Sequence, residues 1–96
     1  EGLQLDFELG SLVYSLILRI RGLLIIKLIS NNKLYSKSLL FSYLKDNGFQ
    51  ENKIDELYSI YTKEKNNIKI KNSNVITKED IIKLLTIAEK LLKEIK

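Results

Sequence analysis

The sequence predicts an all-α protein, a four-helix up-and-down bundle with a long central first helix. Four segments carry apolar residues at helical spacing. Polar stretches rich in Asn, Ser and Gly separate them, and no segment alternates long enough to found a sheet. A chain of 96 residues, 45% hydrophobic and 29% charged, suffices for one small domain with a single core. Residues 1–96 therefore read as a single helical domain. The chain starts with Glu and contains no Met, which reads as a fragment or processed piece of a longer protein.

The first helix is expected from about Leu5 to Ser30, where only Gly22 breaks the helical preference, at roughly 1 kcal/mol relative to Ala. Ser11, Ser15, Arg19 and Gly22 fall on one narrow face of small residues, where a second helix or a ligand can approach the backbone. Leu9, Leu12, Val13, Leu16, Ile20, Leu23, Leu24 and Leu28 cover most of the remaining circumference. A helix apolar almost all round belongs at the centre of a bundle. It is long enough to span a bilayer, but Arg19 and Arg21 near its middle oppose insertion, at about 2.5–3.5 kcal/mol each.

Ser30–Lys33, "SNNK", supplies the stop, because Asn tolerates the left-handed conformation that closes a helix. The second helix is expected from Ser36 or Lys37 to Asn47, capped by Ser36, with Leu39, Leu40, Tyr43 and Leu44 buried. "DNG" at Asp46–Gly48 ends it. The third, about Glu51 to Glu64, places Ile54, Leu57, Tyr58 and Tyr61 on one stripe. Asn66–Val75 has no helical period and reads as a loop with a brief extended piece at Ile68–Lys71. Thr77 then caps the last helix, with Glu79 and Asp80 in the first turn where the macrodipole favours carboxylates. Its buried stripe is Ile81, Leu84, Leu85, Ala88, Leu91, Leu92 and Ile95.

Composition narrows the function classes. The chain has no Cys and no His, so it lacks thiolate metal sites, disulfides, the commonest zinc ligands and the usual general base. An independent hydrolase is disfavoured, no metal or cofactor is expected, and a reducing cytoplasm is the default compartment. The net charge of +4 is a mild excess, compatible with phosphate-bearing partners and with an ordinary solvated surface.

Arg19 and Arg21 are the most informative candidates, since arginine within an apolar helix needs a partner and guanidinium pairs best with carboxylate or phosphate. Two residues apart, they diverge by about 200° around the helix and serve different sites. Asp6, Glu8, a residue on another subunit or a ligand phosphate are the possible partners. Lys63, Lys65, Lys69 and Lys71 flank and enter the long loop as a candidate phosphate clamp, with Tyr61 the one interleaved aromatic. Tyr14, Tyr35, Tyr43, Tyr58 and Tyr61 fit core packing better than a pocket. Asp55, Glu56, Glu79, Asp80 and Glu89 are accounted for by helix ends, which leaves little case for a metal.

The succession "VYSLILRIRGLLIIKLI", "YSKSLLFSYLKDNGF", "IDELYSIYTKEKNN" and "ITKEDIIKLLTIAEKLLKEI" resembles the HEPN helical domains, particularly those that follow or accompany small archaeal nucleotidyltransferase domains. The resemblance runs from about Val13 to the end and rests on pattern. It implies a bundle that pairs in cis or trans with a nucleotidyltransferase domain, contributes to nucleotide or substrate binding, and dimerises. Many members of that family are ribonucleases with an Arg, four to six residues and a His near the start of the last long helix. Here that region is Tyr61–Asn72, "YTKEKNNIKIKN", with neither residue. The expectation is thus a non-catalytic partner or substrate-binding domain. The alternatives are a helical dimerisation or adaptor module without a nucleotide, and a small basic nucleic-acid-binding domain.

Overall fold

The computed structural model describes residues 9–70 and 73–95, and the chain is the all-α bundle that the periodicity predicts. Helix α1 spans Leu9–Ser30, α2 Lys37–Asp46, α3 Glu51–Lys65 and α4 Lys78–Ile95. The long α1 is central and packs along both α3 and α4, while the short α2 lies on α3. Every helix contributes to one core: Val13, Ile20, Leu40, Leu57, Leu84 and Leu91 are all fully buried. At about 1.5–3 kcal/mol for each such side chain, this core is the main favourable contribution to folding.

The helix ends follow the local chemistry. Asn32 closes α1 at φ 59°, with Lys33 N–H donating back to Leu28 O at 2.8 Å. Ser36 caps α2, its Oγ accepting from Leu39 N–H at 3.3 Å, and Gly48 at φ 102° turns the chain after it. At the start of α4, Thr77 Oγ1 accepts from Asp80 N–H at 3.3 Å and the Asp80 carboxylate accepts from Thr77 N–H at 2.8 Å. This is a reciprocal capping box with Asp in place of Glu.

Side-chain pairs give the helix directions. Tyr14 stacks on Tyr61 and Gly10 N–H donates to Ile70 O beyond the end of α3, so α1 and α3 run antiparallel. Lys27 pairs with Glu94 at 2.6 Å, and Arg19 and Leu23 share a groove with Leu85 and Leu92, so α1 and α4 run the same way. Directions alternate from α2 through α4. The α1–α2 connection instead folds back, setting Tyr35 beside Arg21 and Tyr43 beside Lys27.

The fold-back of the α1–α2 connection, which sets α2 parallel to α1, is what makes α1 and α4 parallel, a departure from strict up-and-down order; the α3–α4 connection is long but simply reverses the chain. It is pinned by Ile70, whose N–H donates to Glu64 Oε2 at 3.3 Å. Ser73 pins it again: its hydroxyl donates to Glu56 at 2.9 Å and accepts from Val75 and Ile76 N–H. Ile68–Ile70, expected as a brief extended piece, forms no strand; Lys71 at its end lies outside the described residues.

Three side chains placed in the core by their spacing are instead substantially exposed: Leu39, Leu85 and Leu92. Their helices each pack on one flank only, and these residues lie at the edge of the buried stripe. Ile17, Phe49, Ile60, Ile76 and Ile87 are buried in addition to the expected set. The centrality of α1 is one-sided as well, because Leu18, Ile26 and Ile29 on its outer face remain exposed.

Candidate functional site

The two arginines go to different places. Arg21 lies with its guanidinium carbon 5.2 Å from the Tyr35 ring centre, which the fold-back of the α1–α2 connection brings alongside α1. Four further rings join it. Tyr14 and Tyr61 stack at 5.2 Å, Tyr58 lies 5.4 Å from Tyr61, and Phe41 meets Tyr58 edge-on at 5.2 Å. Lys37, in the first turn of α2, sets its ammonium 4.8 Å from the Tyr58 ring and 5.5 Å from Phe41. Five aromatic rings and two cations thus form a continuous cluster across α1, α2 and α3, in which Tyr61 is buried at 5% exposure and Tyr14, Tyr35, Phe41 and Tyr58 are half-buried at its rim.

The electrostatics of this cluster are mixed. Burial pushes the Tyr35 hydroxyl pKa above its ordinary value, and the nearby Arg21 charge opposes the rise. Tyr61 behaves the same way, burial raising it and Arg21 opposing. Both phenols therefore stay neutral and act as hydrogen-bond donors and acceptors. A guanidinium resting on a ring still carries N–H donors at its edge, which suits bidentate contact with a phosphate. Cation–π contact holds it in place at about 0.5–1 kcal/mol where solvent reaches.

The remaining sequence candidates divide by location. Lys65 follows Tyr61 by one helical turn and lies on the same side of α3, whereas Lys63, two residues on, points elsewhere and is exposed. Lys69 sits in the loop with its Nζ 3.8 Å from Glu64, whose side chain is 5% exposed; it is already engaged within the bundle. Lys71 lies outside the described residues, as do Asp6 and Glu8, the sequence candidates for pairing with an arginine. Three ion pairs form among the described residues, and neither arginine joins one. Among the described residues, Arg21 meets the Tyr35 ring.

Arg19 faces a groove of about 220 Å³ between α1 and α4, lined with Leu23, Leu85, Ala88, Glu89 and Leu92. Gly22, on the outward side of α1, has open space where a Cβ would stand. The close approach that the Ser11–Gly22 face invites is thus not made by another helix of the described chain. Gly10 is the glycine in a tight place: a Cβ there would meet the Glu64 carboxylate, with its carboxyl carbon at 2.8 Å.

Sequence reasoning missed Lys37 and the convergence of Arg21 with these rings, whereas its assignment of Tyr14, Tyr35, Tyr43, Tyr58 and Tyr61 to core packing holds: Tyr61 is buried in the core and the other four are half-buried against it. One signal was available: Tyr14 and Arg21 are seven residues apart on one face of α1, and Tyr58 and Tyr61 are three apart on α3. No group of three or more acidic residues converges as a metal site among the described residues, and none of their helices is long and apolar enough to cross a membrane. Comparison with known protein families, with curated proteins and with solved structures finds no match to this chain.

Proposed function

We propose that the chain is a non-catalytic, HEPN-like helical partner of a nucleotidyltransferase system, acting in the cytoplasm, and that its aromatic face takes a nucleotide or the end of a single-stranded RNA. The observation that carries this reading is the convergence of Arg21 and Lys37 on Tyr14, Tyr35, Phe41, Tyr58 and Tyr61. A base stacks on any aromatic face whatever its sequence, and cations beside it take the phosphates. Lys65 extends the positive side of that face toward the loop. The absence of His and Cys from the chain, and of the Arg/His pair from Tyr61–Asn72, supports a binding role over an independent catalytic one.

The test is calorimetric titration of the chain with nucleoside triphosphates and a short single-stranded RNA, at low and moderate salt. Two to three phosphate contacts at a slope of about −0.7 each imply roughly tenfold weaker RNA binding between 50 and 200 mM salt. Arg21→Ala is expected to weaken binding while leaving helix content unchanged. A large loss of folding stability in that variant marks Arg21 as structural, and silent titrations with every ligand remove the reading.

A further inference from the structure

We propose that the outer face of α1 and the α1–α2 connection dock on an anionic lipid surface. Exposed aliphatic side chains carry the first half of the argument. Leu18, Ile26 and Ile29 follow one stripe of α1, at i, i+8 and i+11, and their exposure rises along the chain from 42% to 51% and 64%. Leu34, in the connection, is 88% exposed. The connection stays against the last turn of α1, because Lys33 N–H donates to Leu28 O at 2.8 Å. The apolar stripe thus gains exposure toward this end of α1 and culminates in Leu34.

Charge identifies the occupant. From Leu9 to Lys45 the chain carries six cations, Arg19, Arg21, Lys27, Lys33, Lys37 and Lys45, and no Asp or Glu. From Asp46 to Lys96 it is nearly balanced, with ten Lys against nine Asp or Glu. The charge asymmetry is therefore concentrated on the two helices and the connection that bear the stripe and Leu34. Lys27 is taken by Glu94, but Arg19 beside Leu18 and Lys33 beside Leu34 join no ion pair among the described residues. The three acidic residues of the first eight come before α1, whose length of about 33 Å separates them in the chain from the connection.

A bilayer surface fits these residues better than a peptide or a nucleic acid. A peptide needs a groove, whereas a side chain as exposed as Leu34 projects from its surroundings and can enter between lipid headgroups. Single-stranded nucleic acid is held by stacking rings and phosphate contacts, and the exposed apolar side chains here are aliphatic. Arg19 and Lys33 can keep their charges at headgroup level while their stems lie along apolar surface. Such contact lies on a bilayer and does not cross it, so the arginines of α1 favour it rather than oppose it. The proposal does not rest on the nucleotide reading, since its anchors, Ile29, Lys33 and Leu34, are not among the residues that carry that reading.

Co-sedimentation of the chain with lipid vesicles tests the docking. Binding is expected to vesicles of equal parts phosphatidylcholine and phosphatidylserine and not to phosphatidylcholine alone, and it should weaken as salt screens the cations. Leu34→Ser should weaken binding about tenfold, because the burial of a leucine is lost. Lys33→Gln should weaken it about fivefold, because one cation leaves the negative surface potential. Both variants should melt as the wild type does, since both side chains are exposed. Leu34→Trp supplies the one indole in a chain without Trp, and its emission should shift to the blue on the anionic vesicles. Nucleotide and RNA titrations of Leu34→Ser should match the wild type, so that either reading can fail alone. Absence of binding to the anionic vesicles at low salt overturns the proposal. So does binding that Leu34→Ser leaves unchanged, which marks attraction by charge alone, or an unshifted Leu34→Trp emission.

Discussion

Asp80→Ala is expected to be among the most damaging single polar substitutions in this fold. Asp80 is only 6% exposed, and its carboxylate accepts from Lys53 Nζ at 2.6 Å, Thr77 N–H at 2.8 Å and Thr77 Oγ1 at 3.0 Å. Removing it leaves Thr77 Oγ1 capping the residue-80 N–H but takes away the reciprocal half of the capping box, the acceptor for Thr77 N–H, at about 1 kcal/mol, and a charge-assisted bond between α3 and α4, at about 1.5–3 kcal/mol. Lys53 keeps some access to water, its side chain being 24% exposed, which limits the penalty for its lost partner. The expected loss is therefore about 2–4 kcal/mol, or a melting temperature lower by at least about 10 °C for a domain of this size.

Urea and thermal unfolding followed by circular dichroism measure the Asp80 effect directly, and a double-mutant cycle with Lys53→Met isolates the ion pair. The pH dependence has a definite sign. Burial alone would raise the Asp80 pKa, but the Lys53 ammonium and the Thr77 donors outweigh it and hold the carboxyl below its ordinary value. A depressed folded-state pKa contributes stability that is present above the unfolded value, about 3.9, and is lost as pH falls through the folded value. The gap between wild type and Asp80→Ala should thus be widest near neutrality and narrow below about pH 4. A loss under about 0.5 kcal/mol near neutrality, within the range of ordinary surface substitutions, would refute the assignment of this network as the tie between α3 and α4.

Three further outcomes follow from the geometry. Gly22→Ala should stabilise the protomer by about 0.5–1 kcal/mol in denaturant titration, since helix propensity improves and the new Cβ meets nothing. Gly10→Ala should do the reverse, by roughly 1–3 kcal/mol, because its Cβ runs into the Glu64 carboxylate held by Ile70 N–H; a stabilised variant would contradict this. Tyr43→Phe should be neutral or stabilising by up to about 1 kcal/mol in thermal melts, because the buried Tyr43 hydroxyl has no hydrogen-bond partner among the described residues.

Local chemistry made the helices legible in the sequence. Ser36, Asn32, Gly48 and Thr77 each announce a boundary through a side chain or a backbone conformation that needs no tertiary information. Depth was less legible. Spacing identifies the side of a helix that faces inward, but which edge of that side is covered depends on where the neighbouring helices lie. For Leu39, Leu85 and Leu92 no helix among the described residues covers the edge. The candidate site was legible only in halves: Arg21 and Tyr61 stood out as residue types, while Tyr35 and Lys37 reach them through the fold-back between α1 and α2. Carboxylate partners for the arginines were the natural expectation from charge, and the candidates Asp6 and Glu8 lie outside the described residues; among those described, Arg21 meets the Tyr35 ring.

The same-way pairing of α1 and α4 has a kinetic consequence. Lys27 and Glu94 are separated by 67 positions, so contacts between these helices close a long stretch of chain, whereas α2 and α3 meet across a four-residue connection. The α2–α3 hairpin is placed to form early, and α4 can dock on α1 only after most of the chain is ordered. Folding should accordingly be slower than in bundles assembled solely from adjacent hairpins, because rate falls as contact order rises. Truncating side chains of α4 that pack on α1 should mainly speed unfolding and leave the folding rate nearly unchanged.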